Sequence, residues 1–222
     1  MLKTNPWLSI WTRPRETIRA IVSENANKGL WWLAAIYGFS SLLNSFQSFG
    51  LGASMGAFPI FLLALIFSPI WGYVLFAIWS AFVCWTGKWL KGRGDFQSVR
   101  AAYAWSCVPL VVSAFLWFVM MGLFGVTLFL PGDHLLTNSA AFLLLAILFA
   151  KVILAIWSLV IYLNALAEVQ QFSILRSIGN VVIAGILIGV VFAIVWWVSM
   201  AVLGVPMNPA NTASLLLPVG GL

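Results

Sequence analysis

Residues 139–169 constrain the fold more than any other part of the chain. They form a long apolar run with a single charge near its middle, Lys151, and with Glu168 next to its end. About 20 residues of α-helix cross the hydrocarbon core of a bilayer, so this run is long enough to cross with some tilt. The whole chain is 63% hydrophobic and 7% charged, whereas soluble domains carry about 25% charged residues. The sequence therefore predicts an integral membrane protein.

Helices are predicted rather than a barrel. In lipid every backbone polar group needs a partner within the protein, which leaves helices and closed barrels as the spanning structures. Barrel strands alternate in polarity over about ten residues, whereas the apolar runs here are long and continuous. We predict an all-α five-helix bundle, residues 29–203, between a basic leader, 1–28, and an uncharged outer tail, 204–222. The predicted spans are residues 29–49, 59–86, 101–130, 139–167 and 177–203.

The basic residues predict how the chain is oriented in the membrane. Five Lys and Arg precede the first span, four lie between the second and third, and one lies between the fourth and fifth. The remaining loops and the tail carry none. Because Lys and Arg accumulate in cytoplasmic loops, the N-terminus is predicted inside and the C-terminus outside. The same reasoning makes the net charge of +6 an orientation signal, not a nucleic-acid footprint.

The leader has the pattern of a short helix on the membrane surface. Trp7 and Trp11 are one helical turn apart, Pro14 suits a first helical turn, and Glu16 suits the positive end of the helix dipole. Tryptophan and arginine are typical of the headgroup layer. A basic leader that only sets the topology is the alternative. The candidate headgroup contacts, taken from this leader and the basic loop 87–100, are Trp7, Trp11, Arg13, Arg15, Arg19, Lys88, Lys91 and Arg93.

Polar side chains inside the spans give one candidate site. Lys151 is costly in a membrane, by about 3 kcal/mol, and such residues are functional candidates, although a lysine can also snorkel to the surface. In the first span, Ser40, Asn44 and Gln47 fall near one helical face. They either glue helices together or line a polar cavity. The predicted intramembrane polar site consists of Lys151, Asn44, Gln47 and Ser40.

Other signals are weaker. Cys84 and Cys107 lie near the predicted cytoplasmic ends of spans, where we expect buried thiols and no disulfide. The adjacent Ser68 and Pro69 predict a kink or an opening in the second span. His134 stands beside a single aspartate, which is too few ligands for zinc. No catalytic, cofactor-binding or metal residue is predicted, and no cleaved signal peptide is apparent.

Three segments of the sequence resemble a known family. They are NPWLSIWTRPRETIRAIV, SVRAAYAWSCVPL and IWSLVIYLNALAEVQQFSILRSIGN, and they are similar to the bacterial branch of the Yip (Ypt-interacting protein) family. The resemblance implies five spans, a cytoplasmic N-terminus, a bacterial inner membrane and no enzymatic activity. Eukaryotic members are associated with Rab-type GTPases. This chain lacks their longer N-terminus and their tyrosine-glycine-proline motif, so no such partner is expected.

Three functions remain open from the sequence. The first is a non-enzymatic scaffold that organises lipids, mainly anionic ones, or membrane partners such as a second copy of the chain. The second is a small transporter or channel for an anionic solute or lipid, with Lys151 facing the polar side of the first span. Against it, all five carboxylates lie outside the spans or at their ends. The third, an enzyme acting on lipid, lacks any catalytic constellation, and the scaffold is our prediction.

Overall fold

The computed structural model describes residues 5–131 and 141–202, and every regular element there is helical. The helices are α1 (Pro6–Ser9), α2 (Pro14–Asn25), α3 (Leu30–Ser48), α4 (Ala57–Trp89), α5 (Phe96–Ser106), α6 (Leu110–Phe124), α7 (Ala141–Gln170) and α8 (Ile174–Val202). The predicted tail, 204–222, lies outside the described residues, as do Asp133 and His134.

The leader forms a helix, but protein covers its apolar face. Helix α2 begins at Pro14 with Glu16 in its first turn, as predicted. Ile10, Ile18 and Ile21 are almost fully buried, and α2 packs against α5 and α7. Burying an isoleucine removes its side chain from both water and lipid, so this face is not available to rest on the bilayer. The leader is therefore a docked part of the bundle.

Helices α3 and α4 form a hairpin in which the two backbones nearly touch. A Cβ atom on Gly38 would collide with the carbonyl oxygen of Ser68, and one on Gly72 would collide with the carbonyl oxygen of Ala34. The four residues are two small-x-x-x-small pairs, one on each helix. Small residues at this spacing let helices approach closely, which strengthens dispersion contacts in a membrane where no hydrophobic force drives association.

Helix α4 runs through Pro69 without interruption. Proline has no N–H, so the carbonyl of Leu65, four residues earlier, loses its usual helical partner. The hydroxyl of Ser68 donates to that carbonyl at 2.9 Å. The residue before the proline thus supplies the missing donor, and the Ser68–Pro69 pair preserves the helix instead of opening it.

The predicted third span, 101–130, is divided into two helices. Helix α5 ends at Ser106 and α6 begins at Leu110, because Pro109 lacks the N–H that would continue the ladder. The N–H of Leu110 bonds to the carbonyl of Cys107, which leaves the carbonyl of Ser106 to accept from the hydroxyl of Ser158 at 2.8 Å. Helix α7 thus caps the break.

Four helices are long and apolar enough to cross a membrane, within the part of the chain that the structure describes. They are Ala57–Trp89, Leu110–Phe129, Ala141–Gln170 and Ile174–Val202, the second of which includes a 3-10 turn that continues α6. Helix α3 has 19 residues, about 28 Å at 1.5 Å per residue, but its C-terminal half is too polar for the helix to qualify by hydropathy. The fifth span stays a prediction.

The glycine contact between α3 and α4 predicts a sharp difference between two glycines. Gly72→Val places two methyl groups against the backbone of α3. We expect it to lower the free energy of unfolding by about 1–3 kcal/mol, the usual range for overpacking. Gly189→Val on α8 meets no atom within 4 Å and is expected to be neutral, because valine is the better helix former. Thermal unfolding in detergent compares the two variants. Equal midpoints would contradict this packing.

Candidate functional site: a polar cavity at Lys151

A cavity of about 650 Å³ lies between α3, α6 and α7. We call it the Lys151 cavity. Its lining consists of one charged, several polar and several apolar side chains: Tyr37, Ser40, Ser41, Asn44, Ser45, Ser48, Phe49, Leu110, Ser113, Leu148, Lys151, Val152 and Ala155. Ligand sites in proteins typically measure about 300–1,000 Å³, so the cavity is large enough for a small molecule or a lipid headgroup.

The polar wall of the Lys151 cavity is one face of α3. Asn44 and Ser48 follow Ser40 at intervals of four residues. Ser40 lies about 200° and Asn44 about 240° around the helix from Gly38, so both are on the side of α3 away from this glycine. The glycine seam with α4 therefore turns the row towards α6 and α7. Ser48 donates its hydroxyl to the carbonyl of Asn44 at 3.0 Å, which is a bond within the helix.

Ser40 stands apart from its neighbours. It is 8% exposed, and its hydroxyl oxygen has no hydrogen-bond partner among the described residues. An interhelical glue residue would bond to a neighbouring helix. A buried hydroxyl without a partner is unfavourable, and this one belongs to the wall of a cavity. Among the described residues Ser40 thus makes no interhelical hydrogen bond, and its hydroxyl oxygen is covered by neighbouring atoms.

Lys151 is half-buried and lies about 15 Å along α7 from its first residue, at 1.5 Å per residue. Its ammonium nitrogen is 4.2 Å from the centre of the Trp117 ring. A cation over an indole face is stabilised by the ring quadrupole, more so when desolvated. The carboxylates of the described residues all lie beyond salt-bridge distance of it. The indole ring of Trp117 on α6 thus stabilises the ammonium group of Lys151 without neutralising its charge.

Three of the four predicted site residues line the same cavity. Lys151, Asn44 and Ser40 are brought together, whereas Gln47 is not part of the lining. Gln47 lies about 60° around the helix from Asn44, on the side away from Ser41. Sequence reasoning missed Trp117, because nothing in its spacing distinguishes it from the other aromatic residues of the spans.

The arginines of α2 contact α7. Arg15 donates from Nε to the side-chain oxygen of Asn164 at 3.2 Å, and Arg19 donates to Glu168 at 2.7 Å. The two arginines are four residues apart on α2, and their two partners are four residues apart on α7. One face of α2 therefore packs along the end of α7. These arginines were predicted to contact lipid headgroups. The structure gives them protein partners.

The other predicted headgroup residues of the leader also lie against protein or close to it. Trp7 meets the ring of Trp105 edge-on, with 5.6 Å between centroids. Trp11 is partly buried against the core. Arg13 is exposed and lies 3.8 Å from Glu16. The apolar part of the leader therefore serves the bundle, and its outward charge is partly paired.

Three cations at the end of α4 and in the loop after it point outward. Lys88, Lys91 and Arg93 are all exposed. The backbone N–H of Arg93 donates to the carbonyl of Gln170 at 3.2 Å, and that of Gly94 donates to the Gln170 side-chain oxygen at 3.1 Å. Gln170 is almost fully buried, so these bonds tie the loop to a fixed point at the end of α7.

Arg100 is a buried cation that sequence reasoning counted as a loop charge. It is 7% exposed. Its guanidinium donates to the hydroxyl of Tyr73 at 2.9 Å and to the side-chain oxygen of Asn27 at 2.7 Å. It also lies 5.3 Å and 5.2 Å from the ring centroids of Tyr73 and Phe96. Neutral oxygens and π faces hold this charge, as a π face holds Lys151.

Long apolar helices, a basic face at one end and a polar cavity between helices define a polytopic helical membrane protein. A family model described as the Yip1 domain matches residues 8–197. The chain belongs to the Yip family, as its leader and span ends predicted. No curated protein and no solved structure matches the chain significantly.

Alanine variants of two serines, Ser158 and Ser40, distinguish a residue that lines the cavity from one that joins two helices by a hydrogen bond. Ser158→Ala removes the donor to the Ser106 carbonyl and leaves that carbonyl unsatisfied, so we expect a loss of about 1–3 kcal/mol. Ser40→Ala removes a buried hydroxyl that bonds to none of the described residues, so the free energy of unfolding should stay the same or rise by about 1 kcal/mol. Denaturation in detergent measures both. A loss at Ser40 equal to that at Ser158 would make Ser40 an interhelical glue residue.

Proposed function

We propose that the protein is a non-enzymatic membrane scaffold of the Yip family that organises anionic lipids, or membrane partners, at a preformed basic surface. The observation that carries the proposal is the end of α4 and the loop after it, where Lys88, Lys91 and Arg93 are exposed and the loop backbone is tied to Gln170. The Yip family is not known for enzymatic activity, which supports the non-enzymatic part of the proposal.

The chemistry of this loop suits the headgroup layer. Each Lys or Arg near an anionic bilayer surface contributes about 1 kcal/mol of attraction. Trp85 and Trp89 lie one helical turn apart on α4, just before the loop, and are 53% and 55% exposed. Exposed tryptophans at a helix end are typical of the membrane–water interface. The indoles anchor the end of α4 at the depth where the loop cations meet lipid phosphates.

Ordering of the loop adds to its affinity. Lys91 adopts a left-handed backbone conformation, with φ of 63°, which a non-glycine residue takes up only where the surroundings hold it. The bonds to Gln170 supply that restraint. Binding to a preformed surface avoids the entropy of ordering the loop, so the three cations can act together on neighbouring headgroups.

We further propose five spans with the N-terminus in the cytoplasm of a bacterium and the C-terminus outside. The supports are the one-sided distribution of Lys and Arg and the packing of α3 along α4. Helix α3 then crosses with its polar row turned towards the bundle, which explains its low hydropathy. The loop between α3 and α4 is on the outer side in this arrangement.

Cysteine labelling tests the orientation. Cys84 and Cys107 are both buried and free, and are replaced by alanine to give a background without thiols. We expect Ser54→Cys, in the loop after α3, to react in intact spheroplasts with a membrane-impermeant maleimide. Arg93→Cys should react only after permeabilisation. The reverse pattern would overturn the proposed topology.

Lipid retention tests the scaffold. The triple variant Lys88→Gln/Lys91→Gln/Arg93→Gln should retain anionic phosphatidylglycerol about a hundredfold less well in native mass spectrometry, with zwitterionic lipid as reference. A control triple, Arg13→Gln/Lys28→Gln/Arg176→Gln, removes the same charge from cations on the same side. We expect the control to retain lipid like wild type. Equal losses in both triples would show that only net charge matters and would contradict a specific basic surface.

A second candidate function, a small anion transporter or channel, is favoured by the Lys151 cavity itself. A cationic side chain in a polar cavity between spans is typical of substrate pathways. The measurement is uptake of a labelled anion into proteoliposomes by wild type and by Lys151→Met. Uptake that depends on Lys151 would place this function ahead of the scaffold, and uptake no faster than in empty liposomes would remove it.

A further inference from the structure

We infer that the Lys151 cavity is a binding site for a phosphate ester anion, supplied by the headgroup of a membrane glycerophospholipid or by a free phosphate ester. The inference extends the proposed lipid-organising function to a second site, on α3, α6 and α7 instead of the loop after α4. It rests on that function only for the choice of lipid as the favoured source. The chemistry of the cavity carries the rest.

The charge of the cavity suits an anion. Lys151 supplies an ammonium group with three donors and no acceptor, and its one described electrostatic partner is the face of Trp117. A π face leaves the positive charge in place, since it contributes no formal negative charge. An anionic oxygen entering the cavity would form a charge-assisted hydrogen bond, roughly twice as strong as a neutral one. An anion thus has more to gain from the cavity than a neutral ligand has.

Polar donors stand beside that charge. Ser40 carries a buried hydroxyl without a partner among the described residues, and Asn44 and Ser113 add an amide and a second hydroxyl to the same lining. A phosphate group offers several acceptor oxygens in different directions, whereas a carboxylate offers two. Hydroxyls and amides spread over two helices, α3 and α6, match the phosphate arrangement better.

The edge of the cavity favours a lipid as the source. Phe49, Leu148 and Val152 line it and are exposed on the outside of the protein, by 78%, 39% and 54%. In the membrane these apolar side chains face acyl chains. A phospholipid can therefore lay its chains on this rim while its phosphate reaches Lys151. Asn44 and Ser48 are exposed at the other part of the lining, so a soluble phosphate ester has a polar approach as well.

The test is a lipid titration followed by native mass spectrometry on the full chain in a mild detergent. The probes are dioleoylphosphatidylglycerol, dioleoylglycerol, which has the same chains without phosphate, and glycerol 3-phosphate as a soluble competitor. We expect one tightly held phosphatidylglycerol on wild type. Lys151→Met should weaken it about tenfold or more, Lys151→Arg should largely restore it, and Asn44→Ala should weaken it several-fold. Methionine suits a membrane helix better than lysine does, and a thermal melt verifies that each variant is folded.

The competitor identifies the source of the phosphate. If glycerol 3-phosphate leaves the bound lipid in place, the site takes the phosphate of a lipid. If glycerol 3-phosphate displaces the lipid and itself binds in a Lys151-dependent way, the site takes free phosphate esters. Either result supports a phosphate ester site. Equal binding of dioleoylglycerol and phosphatidylglycerol, or full retention by Lys151→Met, would overturn it.

The loop variants separate this site from the proposed scaffold. The triple variant Lys88→Gln/Lys91→Gln/Arg93→Gln should lose weakly held anionic lipids and keep the single tight one. Lys151→Met should do the opposite. Failure of only one of these expectations therefore rejects only the loop surface or only the cavity.

Discussion

The contact between Gly38 and Gly72 determines how the rest of the membrane domain is arranged. It brings the backbones of α3 and α4 together along one face of α3. The opposite face carries the row of Ser40 and Asn44, which cannot then face α4. In lipid such a row must find partners within the protein, and α6 and α7 are the helices that enclose it. The position of the polar cavity thus follows from the glycine contact with α4 on the other side of α3.

Two buried or half-buried cations show a common solution to charge in a membrane protein. Arg100 is held by Tyr73, Asn27 and Phe96, and Lys151 by Trp117. Ion pairs between buried groups are expensive to form because both charges lose their solvent. Aromatic faces and neutral oxygens stabilise a cation without a second desolvated charge. Arg100 has two hydrogen-bond acceptors and serves the fold, whereas Lys151 keeps its donors in a cavity, where a ligand can use them.

Much of the fold could be predicted from runs and spacing. The apolar runs predicted the long helices α4, α7 and α8, and the spacing of Ser40 and Asn44, with the lone charge Lys151, predicted three members of the cavity. These signals work because lipid imposes the same requirement on every residue of a span. Within the leader, Pro14 predicted the start of α2.

The features that the sequence did not predict depend on which helices pack against each other in the folded protein. Gly185 and Gly189 on α8 have the G-x-x-x-G spacing that permits close helix packing, yet a Cβ atom on either meets nothing within 4 Å, whereas Gly38 and Gly72 are in close contact. Spacing alone does not distinguish a glycine face that packs against another helix from one that does not. The docking of α2 was missed for the same reason: an amphipathic face fits a protein groove as well as a bilayer.

The most direct measurement is an experimental structure of the protein in a nanodisc that contains phosphatidylglycerol. The account predicts the ammonium of Lys151 over the ring of Trp117, close to the 4.2 Å found here, with the Ser40 row turned to an open cavity and phosphate density beside the lysine. A lysine extended to the membrane surface, with α3 packed directly against α7 and no cavity between them, would contradict it.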